Sequence, residues 1–112
     1  MQTVIVDFDG VIHSSESRWS GADVILDPPV PGMRQAIALV RAAGYRVVVA
    51  STRCYQSGGI AAIKRWLERH EIVVDDVTGE KPPAIVTIDD RALCFDPAKH
   101  LDAPDAIAEE VS

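Results

Sequence analysis

Asp7 and Asp9 stand on either side of Phe8, directly after the apolar run Thr3-Val4-Ile5-Val6 and directly before Gly10. A carboxylate can attack an electrophile, carry a proton or hold a cation, and two on one turn can divide those tasks. Gly10 lets the backbone turn sharply and approach a ligand closely. Taken alone, the pair has a plainer explanation, because aspartates commonly form the turns that end strands. Two further apolar runs end in a similar way. Arg46-Val47-Val48-Val49-Ala50 leads into Ser51-Thr52-Arg53, and Ile85-Val86-Thr87-Ile88 leads into Asp89-Asp90-Arg91, with Lys81 just upstream. Each group again has a bland reading: Ser51 or Thr52 as a cap, Lys81 as solvated surface, Asp89 and Asp90 as a loop acid pair. Three strands ending together in an acid pair, a hydroxyl and a second acid pair are much harder to dismiss.

These groups can meet only if the runs are neighbouring strands of one parallel sheet. The runs are β-branched and continuous rather than alternating, as suits strands buried on both faces. Ile72-Val73-Val74 is expected as a further strand. Two helical patterns alternate with the strands. The first opens at Pro31 and closes before Gly44, with Met33, Ile37 and Val40 on one side. The second runs from Ser57, read as its N-cap, to about His70, with Ile60, Ile63 and Leu67 on a stripe. The expected fold class is therefore α/β, a Rossmann-like three-layer sandwich around a central parallel sheet. Its right-handed crossovers place the strand C-termini along one edge, where ligands bind.

Two stretches interrupt that rhythm. Residues 10–30 are too long for a simple connection and show no helical pattern, and loops of that length are usually functional. Val24-Ile25-Leu26 within them could form a short flap strand, and His13 reads as an exposed loop histidine. Lys81-Pro82-Pro83 forbids a regular helix immediately before the last strong strand.

The chain of 112 residues has room for one domain, residues 1–112, with a core over about 2–95. Its net charge is −6, and five acids against Lys99 put −4 of this in residues 96–112, an acidic tail read as a solvated face. No basic patch is visible, so strong binding to a nucleic-acid backbone is not expected. No apolar run approaches the ~20 residues needed to span a bilayer. No secretory leader is evident, and the two cysteines, Cys54 and Cys94, make no disulfide framework. The expected setting is soluble and cytoplasmic.

Four ordered motifs, Asp7-Phe8-Asp9-Gly10-Val11, Ser51, Lys81 and Asp89-Asp90, resemble those of the haloacid dehalogenase superfamily. Pro31-Gly32 and Gly44-Tyr45 also look like that family, and the resemblance covers residues 2 to about 95. The small capless members are the most similar, with a looser likeness to polynucleotide 3′-phosphatase domains. The resemblance implies a flap after the first strand and a phosphatase that works through an aspartyl-phosphate. Asp7 would be the nucleophile, Asp9 the acid and base, and Ser51 and Lys81 the remaining catalytic residues. Gly10, Ser51, Thr52, Arg53 and Lys81 would hold the substrate phosphate. Close carboxylates and a phosphate dianion repel by about 4 kcal/mol per pair at an effective dielectric near 20, so a cation is expected. An all-oxygen site suits Mg²⁺, drawn from Asp7, Asp9 (through its carbonyl), Asp89 and Asp90. Asp90 is expected to bind directly, with Asp89 behind it, because successive strand residues face opposite ways.

Arg53 could grip a substrate anion or brace Asp89 or Asp90, and Arg91 invites the same choice less strongly. Roughly twenty residues separate Asp9 from Pro31, which leaves room for a flap but not for a cap domain. The site is thus expected to be open, and closed by a large, even macromolecular, phosphorylated substrate or by a second subunit of a homo-oligomer. Two other readings compete with this one. A response-regulator receiver has its acids, hydroxyl and lysine in a different order along the chain. A non-catalytic phosphoryl- or nucleotide-binding module with the same fold would have to retain all four motifs without turnover.

Overall fold

The computed structural model describes residues 2–88. Asp89, Asp90, Arg91, Cys94 and the 96–112 tail, all singled out above, lie outside the described residues. The element order is β1 (Thr3–Asp7), α1 (Met33–Ala42), β2 (Arg46–Ala50), a 3₁₀ turn (Thr52–Tyr55), α2 (Gly59–Arg69), β3 (Asp76–Thr78) and β4 (Val86–Ile88). The four strands form one parallel sheet in the order β3-β2-β1-β4.

That order decides where a ligand can sit. The chain leaves β1 toward β2 and β3, then returns to place β4 on the other side of β1. Connections that depart in opposite directions leave a crevice outside the carboxyl ends of the central strands. Asp7 is the last residue of β1 and is paired with Ala50, so it lies at that crevice with Ser51 next door.

The strands are buried on both faces, as their continuous apolar character implies. Val4, Val6, Val47 and Val49 share one core cluster with Met33, Ala36, Ile37 and Val40 of α1 and with Ile63, Trp66 and Leu67 of α2. Both helices therefore cover the same face, as two successive right-handed crossovers in one direction require. Ile5 and Val48 point to the opposite face and are buried as completely.

Several boundaries differ from the sequence reading. α1 starts at Met33 rather than Pro31, because Gly32 adopts a left-handed conformation as its N-cap. α2 starts at Gly59 with Gly58 as its left-handed N-cap, so Ser57 is not the cap. Its buried stripe is Ala62, Ile63, Trp66 and Leu67, whereas Ile60 is exposed. Val24-Ile25-Leu26 forms no strand.

The largest difference is the third strand. Ile72-Val73-Val74 is an irregular connection, and the strand is Asp76–Thr78. Glu71 turns the chain with a positive φ of 57°, Ile72 drops into the core and Val73 stays exposed. Asp75 then sets the register. Its backbone N–H donates to the Val47 carbonyl at 2.8 Å, and its carboxylate accepts from the Val47 N–H at 2.7 Å. Arg41 of α1 donates to the same carboxylate through Nε (3.2 Å) and Nη2 (3.1 Å). Apolar content marked the segment for burial, but a single aspartate decided where pairing begins.

The Arg41 fork, with help from the Val47 N–H, holds the Asp75 carboxyl below the usual carboxylate range. A carboxyl depressed by folding stabilises the native state above its unfolded pKa of about 4, and loses that contribution as pH falls through the folded value. Asp75→Asn should therefore lower stability by about 1–2 kcal/mol at neutral pH. The difference from wild type should shrink when urea titrations are repeated near pH 3.

Candidate active site

The turn that follows β1 builds the site. The Phe8 carbonyl accepts from the N–H groups of Val11, Ile12 and His13 at 3.3, 3.0 and 2.9 Å, winding the chain into a tight coil. Gly10 sits within it at φ 81°, a conformation that other residues rarely adopt. Its N–H donates both to the His13 carbonyl at 2.8 Å and to Ser15 Oγ at 3.1 Å, so this amide, expected to meet phosphate, serves the coil itself. The flap then returns alongside, with Val30 N–H donating to the Ile12 carbonyl (2.8 Å) and Ser14 N–H to that of Pro28 (3.0 Å).

Asp7 and Lys81 come together, although 74 positions apart in the sequence (Lys81 less Asp7), with Lys81 Nζ 3.6 Å from Asp7 Oδ1. Both side chains are partly exposed, as access to a substrate requires. Ser51 closes β2 and caps the following 3₁₀ turn, its Oγ accepting from the Arg53 N–H at 3.1 Å. Its own N–H donates to the Thr78 carbonyl at 3.1 Å. Thr52 lies exposed beside it. Asp7, Ser51 and Lys81 thus reach one edge of the sheet from three different elements.

Arg53 has a different position from the one expected. Its side chain is buried, with 4% of its surface exposed, and all three guanidinium nitrogens are engaged. Nε and Nη2 fork onto Asp9 Oδ2 and Oδ1, both at 2.9 Å. Nη1 donates to the flap carbonyls of Gly21, Ala22 and Val24 at 3.0–3.1 Å. The guanidinium also lies 4.3 Å from the centroid of Trp19. These partners suit a brace between flap and carboxylate. The brace depends on a residue that sequence reasoning passed over. A Cβ at Gly59 would lie 1.8 Å from the Arg53 carbonyl oxygen, so only glycine lets α2 begin there. The adjacent glycines 58 and 59 were the available signal.

His13 is likewise not an exposed loop residue. It is 4% exposed, stacked on Phe8 with ring centroids 5.4 Å apart, and edge-on to Trp66 at 5.6 Å. Its Nε2 accepts from the Asp27 N–H at 3.2 Å, which leaves Nδ1 to donate to Asp9 Oδ1 at 3.0 Å. Trp66 donates to the Asp27 carbonyl at 3.0 Å, fastening the same part of the flap to α2. Burial pushes the Asp9 carboxyl up, but the bonds from Arg53 and His13 outweigh it and hold Asp9 below the usual range. Burial raises the pKa of the Cys54 thiol, which suits a spectator rather than a nucleophile.

Among the described residues no group of three or more His, Cys, Asp or Glu gathers around a point. Two of the four expected cation ligands, Asp89 and Asp90, lie outside them. The oxygens at this end of β1, the Asp7 carboxylate and the Asp9 backbone carbonyl, are of the hard type that Mg²⁺ prefers. The Asp9 carboxylate is committed to Arg53.

No family model matches the chain, and no curated protein matches it. Solved structures do. An MCSG target protein from Vibrio cholerae aligns over 100% of both chains at 21% identity with a TM-score of 0.62, a likeness of fold. The D,D-heptose 1,7-bisphosphate phosphatase of B. bronchiseptica, solved with magnesium and phosphate, aligns over 98% of this chain at 25% identity and a TM-score of 0.50. The fold of this chain is haloacid dehalogenase-like, in a small domain. It spans 64% of that phosphatase, and no cap domain is inserted among its described residues. The Burkholderia thailandensis enzyme of the same name aligns over 70% of this chain and 52% of its own, at 27% identity and a TM-score of 0.45. At the level of the superfamily, the likeness is to phosphatases. No helix among the described residues is long and apolar enough to cross a membrane.

Removing the brace should be costly in a measurable way. Arg53→Met leaves Asp9 without its fork and three flap carbonyls without a donor. The expected loss is about 2–3 kcal/mol, less than for a fully buried pair because Asp9 remains 36% exposed. Urea unfolding measures this, and limited proteolysis should cut the variant first within residues 16–26.

Proposed function

We propose that this domain is a Mg²⁺-dependent phosphomonoester hydrolase that works through a phosphorylated Asp7. The observation that carries the reading is the placement of the Asp7 carboxylate at the switch point of the sheet, 3.6 Å from Lys81 Nζ and beside Ser51. In the first step an Asp7 oxygen bonds to phosphorus, the ester P–O bond breaks, and the leaving oxygen takes a proton from Asp9. In the second, Asp9 takes a proton from water, which attacks phosphorus and releases phosphate from Asp7. Lys81 offsets the negative charge shared by Asp7 and the phosphoryl oxygens, and the Ser51 hydroxyl can donate to one of them. Thr52 lies on the same rim. Mg²⁺ held by Asp7, the Asp9 carbonyl and the acids 89 and 90 would supply charge neutralisation when bound.

Asp9 must hold a proton in the first step, although Arg53 and His13 favour its ionised form in the free protein. An incoming phosphate dianion acts in the opposite sense, because like charge disfavours ionisation. The same fork lends some support to a second reading, a module that holds a phosphoryl group without turning it over. With no cap among the described residues, the remaining enclosure would come from a large substrate or a second copy of the chain, and a solution molar mass distinguishes these.

Asp7→Asn keeps shape but removes the nucleophile, so the variant should retain no more than a few per cent of wild-type turnover on an aryl phosphate, and excess EDTA should abolish the wild-type rate. Full activity in either case would sink the proposal. No turnover by wild type with Mg²⁺, together with measurable phosphate binding, would favour the module.

Asp9→Asn should fail differently from Asp7→Asn. Alkyl phosphates, whose leaving oxygen needs a proton most, should lose much more rate than aryl phosphates. Equal losses in a side-by-side kinetic comparison would remove Asp9 from the acid role.

A further inference from the structure

The flap encloses a cleft of about 180 Å³ with Asp9 in its wall. Trp19, Val24 and Leu26 form an apolar side, and Arg18, Ser15 and Ser20 a polar one. Trp19 and Leu26 are 57% and 63% exposed, although Phe8 and Trp66 nearby are buried. Trp19 is not loose. The Arg53 guanidinium packs on it at 4.3 Å, and the same guanidinium is locked to Asp9, so the indole stands at a fixed place relative to the carboxylate. A rigid aromatic surface left open to water beside a catalytic acid is a ready platform for a planar group.

We propose that this cleft is the leaving-group subsite, and that it takes the base of a nucleoside monophosphate, stacked on Trp19. The inference rests on the role given to Asp9. An acid that protonates the leaving oxygen stands on the leaving-group side of the phosphorus, and the cleft that has Asp9 in its wall would receive that group. Its size admits one ring system and excludes a folded peptide segment. Its chemistry matches a base better than a bare sugar or a phenyl ring. The apolar wall meets the ring faces, and the guanidinium of Arg18 and the Ser20 hydroxyl can meet a polar ring edge. Ser20 Oγ donates to the Arg18 carbonyl, which leaves its oxygen with acceptor capacity, whereas Ser15 Oγ already donates to Asp9 and accepts from the Gly10 N–H. Base–aromatic stacking is sequence-tolerant, so the subsite should prefer nucleosides as a class over any single base.

The test combines kinetics with a readout that needs no turnover. Wild type, Trp19→Ala and Trp19→Phe are assayed with Mg²⁺ on adenosine monophosphate and on glycerol phosphate, and adenosine alone is titrated against tryptophan fluorescence. Trp19→Ala should lose about ten times more kcat/KM on adenosine monophosphate than on glycerol phosphate, mainly through KM, and Trp19→Phe should recover most of it. Adenosine should quench the emission of wild type but not that of Trp19→Ala, where only buried Trp66 remains. Equal losses on both esters, or a wild-type preference for phosphotyrosine or a sugar phosphate over nucleoside monophosphates, would overturn the subsite. If wild type hydrolyses neither ester, the phosphatase reading falls by itself. The adenosine titration then decides the subsite separately: Trp19-dependent quenching upholds it, and none overturns it.

Discussion

The bidentate contact between Arg53 and Asp9 is the constraint on which the rest of the site depends. A buried guanidinium must have its donors satisfied, and this one is satisfied by the Asp9 carboxylate, two residues past Asp7, and by three flap carbonyls. One side chain therefore holds the flap against the sheet edge and fixes the direction of Asp9. His13 reinforces the arrangement from the other side, joining Asp9 to Asp27 through its two ring nitrogens. The flap is short and irregular, yet it is tied to the core at Arg53, His13 and Trp66. With no cap among the described residues, few other contacts are available to keep the Asp9 carboxylate in place.

Charge is distributed by the same logic. Asp7 and Asp9 lie two residues apart, and each meets a cation from a different part of the chain, Lys81 from the segment before β4 and Arg53 from the turn after β2. The two cations are not equivalent. Lys81 is about half exposed and sits 3.6 Å from its partner, whereas Arg53 is buried and fully engaged. A flexible ammonium suits an incoming phosphate, and a rigid planar fork suits a structural brace. At the far end of the sheet, Arg41 and Asp75 use a similar fork to fix the register of β3.

The strands at the centre of the molecule were readable because burial on both faces leaves a continuous β-branched run, and β1, β2 and β4 coincide closely with such runs. Ile72-Val73-Val74 shows where that signal stops. It is as apolar as a strand, but one of its residues fills the core beneath a turn and the next is exposed. Hydrophobic content reports burial, whereas pairing depends on where a backbone N–H meets a carbonyl, and here Asp75 made that choice. The helix starts moved for a related reason. Gly32 and Gly58 accept left-handed conformations that Pro31 and Ser57 do not supply, and only the tertiary path requires them.

The sequence by itself determined the chemistry on offer. An acid pair after the first strand, a hydroxyl after the second and a lysine before the last are fixed by residue type and order, and a parallel sheet brings strand ends to one edge whatever the details. The tertiary structure alone decided how those groups are used. Whether Arg53 meets a substrate or Asp9, and whether His13 faces solvent or the core, depends on contacts between residues up to 44 positions apart. A guanidinium or an imidazole can serve equally well at a surface or as a buried link. Its role is set by which partners desolvate it, and local sequence carries no record of that choice.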